Sequence, residues 1–208
     1  MSEKASIIAD ALIQSEALKF GEFKLKSGIV SPYYIDLSWL LSSPESFSRI
    51  VNLTAQEIKR LASEEEINKL ASIELKGALL LPTIAYKLKM PCIIVRKESK
   101  SYGLRGRITG GTVKPGDRFL FFDDVVTSGG SKIEGIRPIE EAGGRIETIL
   151  VVVDREQGGK EELKRRGYRL ESLITISQVI HSLLKAEKIH PSQAEEILQY
   201  VKRQRKGF

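Results

Sequence analysis

Apolar runs and helically spaced apolar faces alternate along this chain. Phe119-Leu120-Phe121-Phe122 and Thr148-Ile149-Leu150-Val151-Val152-Val153 are unbroken runs, the pattern of strands covered on both faces. Cys92-Ile93-Ile94-Val95, after Met90-Pro91, is a shorter run of the same kind, and Ile67 to Ile73 is a weak one. Between them lie segments with helical spacing. Ser6 to Leu18 carries a face of Ile7, Ile8, Ala11, Leu12 and Ile13. Pro44 and Glu45 open a helix running to about Leu61, Ala78 to Leu88 forms another, and Lys132 to Ala142 ends at Gly143-Gly144. Phe23 and Leu25 alternate before a turn at Gly28, which predicts a hairpin followed by an extended segment. Tyr168-Arg169-Leu170 begins an edge strand, Ser172 to Thr175 adds alternation, and helices fill the chain from Ser177. Strands alternating with helices predict an α/β fold whose central, mainly parallel sheet is flanked by helices. The whole chain, 1–208, suits one domain.

Composition narrows the class. No run approaches the roughly 18 apolar residues that span a bilayer, and Met1-Ser2-Glu3-Lys4 opens no signal-peptide core. Cys92 is the single cysteine and sits in an apolar run, so we expect a buried thiol and a cytoplasmic protein. The net charge of +6 is spread among interleaved acids, apart from Lys202 to Lys206. A positive excess of that size suits a site for small polyanions, and the terminal basic run reads as a solvated helix end. Neither a nucleic-acid partner nor a membrane is expected. His181 and His190 lie outside every motif.

The chain's chemistry concentrates where the Phe119 run stops at Asp123 and Asp124. Val125-Val126-Thr127-Ser128-Gly129-Gly130-Ser131 follows and leads into a helix start. Glycines and hydroxyls before a helix N-terminus aim several backbone N–H groups at one point, a seat for a phosphate. Carboxylates beside it repel that phosphate and must face ribose hydroxyls or Mg²⁺. No Gly-x-x-x-x-Gly-Lys-Ser/Thr and no Gly-x-Gly-x-x-Gly occurs. The stretch from Phe119 to Ser131 resembles the binding signature of type I phosphoribosyltransferases. By that resemblance Asp123 and Asp124 hold the ribose of phosphoribosyl diphosphate, Ser128 to Ser131 hold its 5-phosphate, and Val125, Val126 and Thr127 belong to the same binding stretch.

Four further stretches narrow the resemblance to the orotate phosphoribosyltransferase family. Leu18-Lys19-Phe20-Gly21 through Leu25-Lys26-Ser27-Gly28, then Ser31-Pro32-Tyr33-Tyr34, is similar to that family's N-terminal hood, placed here at about residues 1–40. It implies that Lys26 contacts phosphoribosyl diphosphate and that Tyr33 and Tyr34 contact the orotate ring. A planar uracil carboxylate does want an aromatic face and cations. Lys76-Gly77 matches the family's diphosphate-loop step, although the surrounding Glu74-Leu75 departs from its glycine-rich form. Arg96-Lys97-Glu98-Ser99-Lys100 resembles the family's mobile catalytic loop, running here from about Arg96 to Gly111, which closes over a neighbouring subunit. Its cations Arg96, Lys97 and Lys100 would neutralise the leaving diphosphate. Tyr102 stands where the family usually has His; a phenol carries no positive charge but can donate a hydrogen bond. Arg155, after the Thr148 run, matches the arginine that grips the orotate carboxylate, beside Thr127.

The fold implied is the type I phosphoribosyltransferase fold with a small hood. The activity implied is Mg²⁺-dependent transfer of the phosphoribosyl group to orotate, giving orotidine 5′-monophosphate and diphosphate on the route to UMP, by a homodimer that shares the loop. Lys26, Lys100, Asp123 and Asp124 are the expected catalytic groups. A phosphoribosyltransferase for another base, or a non-catalytic sensor of phosphoribosyl diphosphate, remains open at this stage. Three clustered metal ligands of zinc-site spacing are missing.

Overall fold

The computed structural model describes residues 3–24, 28–100 and 106–205, with Ser99 and Lys100 as backbone only. Six strands form the main sheet: β3 (Lys69–Ile73), β4 (Cys92–Lys100), β5 (Gly106–Thr109), β6 (Arg118–Val126), β7 (Arg145–Asp154) and β8 (Arg169–Thr175). Their order is β5-β4-β3-β6-β7-β8, parallel throughout except for the β4–β5 pair. A separate antiparallel hairpin, β1 (Leu18–Lys24) with β2 (Val30–Ile35), sits before a short 3-10 helix at Leu37–Ser42.

Alternation along the central strands divides the core in two. Leu120 and Phe122 of β6 point with Leu150 and Val152 of β7 into one layer. That layer holds α1 (Glu3–Gln14), α2 (Pro44–Glu64), α3 (Lys76–Leu88), α6 (Ile176–Lys185) and α7 (Pro191–Arg205). Phe119 and Phe121 point the other way, with Ile149 and Val151, onto α4 (Gly130–Glu141) and α5 (Gly159–Arg165). The hairpin joins the first layer through Leu18, Tyr33 and Ile35. Helix ends follow local chemistry: Pro44 occupies the first turn of α2, and Thr175 with Gln178 forms a capping box on α6.

Several boundaries differ from the sequence pattern. β6 does not stop before the acids; it continues to Val126 because Asp123, Val125 and Val126 stay paired with β7. β4 runs past Val95 to Lys100 and pairs with β5, so the described arms of the expected loop form an antiparallel hairpin. Its register is supported by Arg107, which donates to the Arg96 carbonyl at 2.7 Å. α3 starts at Lys76 rather than Ala78, and α5 is a seven-residue helix too short to show periodicity. Cys92 is half-buried rather than enclosed, and burial pushes its thiol up.

Candidate active site

Parallel sheets present their carboxyl ends to ligands at one edge. Here that edge carries the end of β6, the turn to α4, the start of α3 and the residue after β7. Asp123 and Asp124 are buried in the last part of β6. Gly129 turns the chain at φ 87, a left-handed conformation that favours glycine, and a Cβ there would sit 3.1 Å from Leu163. Thr127, Ser128, Gly130 and Ser131 remain exposed at the head of α4, a twelve-residue helix whose first turn supplies N–H donors and positive potential.

The acid pair has an internal counter-ion absent from the sequence reading. Lys132, itself 4% exposed, sets its ammonium 2.7 Å from Asp123 Oδ2 and also donates to the Val125 carbonyl. Asp123 Oδ1 accepts the Asp124 N–H at 2.9 Å. Among the described residues Asp124 has no comparable cation; burial, then the neighbouring Asp123 charge, push its carboxyl up, and Lys132 opposes them only in part. A signal for Lys132 was available: a cation in the first turn opposes the helix dipole and needs a specific partner.

Lys76, at the start of α3, donates to Asp36 Oδ2 at 2.8 Å and feels the charge of Asp124. Burial alone would lower its pKa, but the Asp36 bond and charge outweigh it and the ammonium is held charged. Asp36 also caps the 3-10 helix through Ser38. Gly77 is required by contact: a Cβ there would lie 2.4 Å from Asp123 Oδ1 and 2.8 Å from Asp123 Cα.

The expected aromatic pair divides. Tyr33 is fully buried and its hydroxyl accepts from Arg155 Nε at 3.1 Å, whereas Tyr34 is 37% exposed and packs on Phe23. Burial raises the Tyr33 phenol pKa against the pull of Arg155, so it stays protonated. Tyr200 of α7 meets the Tyr33 ring edge-on at 6.0 Å, a contact no local pattern announced. Arg155 Nη2 is buried without a partner among the described residues, and so is Arg96 Nη1. A buried guanidinium nitrogen of that kind wants an anionic acceptor. Lys97 is exposed, with its N–H on Glu74. Lys26 and Tyr102 lie outside the described residues, as does the side chain of Lys100.

Comparison with known proteins identifies the family. The phosphoribosyl transferase domain model matches residues 38–185. Orotate phosphoribosyltransferase of Pyrococcus furiosus is 40% identical over 177 residues, covering 84% of this chain and 92% of that protein. The chain belongs to the orotate phosphoribosyltransferase family. Bovine uridine 5′-monophosphate synthase is 36% identical over 203 residues, 93% of this chain but 41% of that longer protein. Among solved structures, orotate phosphoribosyltransferase from Aeropyrum pernix superposes with a TM-score of 0.75 at 31% identity, covering 86% of this chain and 98% of that one. The central mostly parallel sheet flanked by helices is the family's type I fold.

The donors suit Mg²⁺ only in a particular way. Mg²⁺ takes oxygen ligands, keeps several waters and is usually held by one or two carboxylates plus substrate phosphates. No group of three or more His, Cys, Asp or Glu arranged for a metal occurs among the described residues. With Asp123 Oδ2 engaged by Lys132, the chain fits an ion that arrives with a diphosphate, supplemented at most by the acid pair.

Proposed function

We propose that this protein transfers the 5-phosphoribosyl group of phosphoribosyl diphosphate to orotate, forming orotidine 5′-monophosphate and diphosphate on the route to UMP. The observation that carries this reading is the position of Arg155. Its unpartnered, buried Nη2 lies at the sheet edge that also holds the acid pair and the α4 turn. A carboxylated base at Arg155 and a phosphorylated sugar at Asp123, Asp124 and Thr127 to Ser131 then lie side by side.

In the reaction the bond from C1 of the sugar to the diphosphate oxygen breaks and a bond to orotate N1 forms, with the N1 proton released to solvent. The α4 turn anchors the 5-phosphate, and the acid pair holds the ribose hydroxyls while C1 gains positive character. Lys26, Lys76, Arg96, Lys97 and Lys100 stabilise the departing diphosphate, with Tyr102 as a neutral donor, and Arg155, Thr127 and Tyr34 orient orotate. Bound Mg²⁺, carried by the diphosphate and met by the acid pair, would supply further charge neutralisation. Catalysis is chiefly electrostatic stabilisation and alignment.

The resemblance to the family further implies a homodimer in which the segment from Arg96 to Gly111 serves the partner's site. We place the protein in the cytoplasm, as one catalytic unit with an N-terminal hood. A spectrophotometric assay of orotate loss with phosphoribosyl diphosphate and Mg²⁺ tests the function. Turnover of orotate but not uracil, hypoxanthine or adenine is expected; turnover of one of those bases, or of none, would overturn it.

A further inference from the structure

We propose that Lys132 is the positioning residue of the sugar-binding acid pair: its ammonium fixes Asp123 and leaves Asp124 as the carboxylate presented to the ribose of phosphoribosyl diphosphate. This rests on the functional reading above and assigns different roles to the two acids.

Lys132 is 4% exposed, and an ammonium is not buried without partners. Its three donors have three oxygens: Asp123 Oδ2 at 2.7 Å, the Val125 carbonyl and Ser131 Oγ at 3.2 Å. One side chain thus links the end of β6 to the first turn of α4, the two pieces that receive sugar and phosphate. Asp123 is engaged at both oxygens, because Oδ1 accepts the Asp124 N–H at 2.9 Å. The same Oδ1 lies where a Cβ on residue 77 would be, 2.4 Å away, so the start of α3 closes over it. Asp123 is therefore held from β6, α4 and α3 at once, whereas among the described residues the Asp124 carboxyl is in no ion pair.

The electrostatic consequence follows from the substrate. Phosphoribosyl diphosphate brings a phosphate and a diphosphate, and two adjacent buried carboxylates would oppose its entry. Pairing Lys132 with Asp123 cancels one of those charges inside the protein. Lys132 acts through Asp123 and is not itself a diphosphate ligand.

The test is a cycle of K132M, D123N and the double variant D123N/K132M, using calorimetric titration with phosphoribosyl diphosphate and Mg²⁺ in the absence of orotate, together with KM for both substrates. K132M is expected to bind phosphoribosyl diphosphate at least fivefold more weakly while KM for orotate stays within twofold. D123N and the double variant are expected to bind it within twofold of each other, because Lys132 acts on sugar binding through Asp123 rather than through its bonds to Val125 and Ser131. Folded K132M binding less than fivefold more weakly would overturn the inference, as would an equal rise in KM for orotate. So would a double variant that loses more than twofold beyond D123N. Should K132M not fold, D123N and the double variant decide; failure of the double variant to fold would make Lys132 a stability residue and overturn the assignment. Absence of binding by the unaltered protein would instead sink the functional reading, so the two failures are distinguishable.

Discussion

Arg155 Nε donates to the Tyr33 hydroxyl at 3.1 Å, and the guanidinium lies over the same ring with Cζ 4.8 Å from its centre. A residue of the hood hairpin thereby orients the head group that follows β7. Lysine cannot reproduce a planar fork held in this way. R155K is expected to raise KM for orotate by about 10- to 100-fold, the loss of a charge-assisted contact, with KM for phosphoribosyl diphosphate little changed. Y33F, which removes only the acceptor, should raise KM for orotate by about fivefold. Steady-state kinetics with each substrate varied in turn checks both.

Gly77 touches Asp123 through space that a methyl group would occupy. The neighbours include the Asp123 backbone, which cannot swing aside as a flexible side chain can. G77A should destabilise the fold by about 1–3 kcal/mol and weaken binding of phosphoribosyl diphosphate. Chemical denaturation and titration calorimetry on the same preparation measure the two effects.

What the sequence disclosed, and what it withheld, divides along physical lines. Continuous apolar runs announced β6 and β7, since strands covered on both faces leave no other pattern, and the acid pair with its glycine turn marked the end of β6 and the entry into α4. Lys132 was missed although a cation in the first turn of a helix signals a partner, because that partner lies nine residues back and only folding brings it to 2.7 Å. Tyr200 was missed because its contact with Tyr33 spans most of the chain. The division of labour between Tyr33 and Tyr34 was half legible: adjacent strand residues face opposite ways, but which one faces inward is decided by packing. The extension of β4 to Lys100 was hidden because its charged residues pair through backbone with β5, and composition does not report that.

Lys76 is held by Asp36 at 2.8 Å, with both groups partly exposed. A diphosphate must take the ammonium from that carboxylate. K76A is expected to weaken binding of phosphoribosyl diphosphate about tenfold or more, while D36N should tighten it by no more than about fivefold, because a half-exposed pair is worth only about 1 kcal/mol or less. Titration calorimetry separates the directions.

Asp154, at the end of β7, has its carboxyl pushed up from 3.8 to about 6, first by burial and then by Glu161, against Lys160 and Arg205. The folded state therefore binds this proton more tightly than the unfolded chain. Stability from that proton is fully present below pH 3.8 and is lost as pH rises through about 6. D154N, which keeps an acceptor for the Glu156 N–H, should leave stability near that of the native chain at low pH. Above pH 6 it should stabilise by about 1–3 kcal/mol. Denaturation midpoints on both sides of that range provide the check.

The central claim is that the turn behind the acid pair seats the phosphate of a phosphorylated sugar. The most direct measurement is a crystal structure of the protein soaked with phosphoribosyl diphosphate. The 5-phosphate is expected within hydrogen-bond distance of the backbone from Ser128 to Ser131, with the ribose hydroxyls facing Asp124. A 5-phosphate seated anywhere else would contradict it.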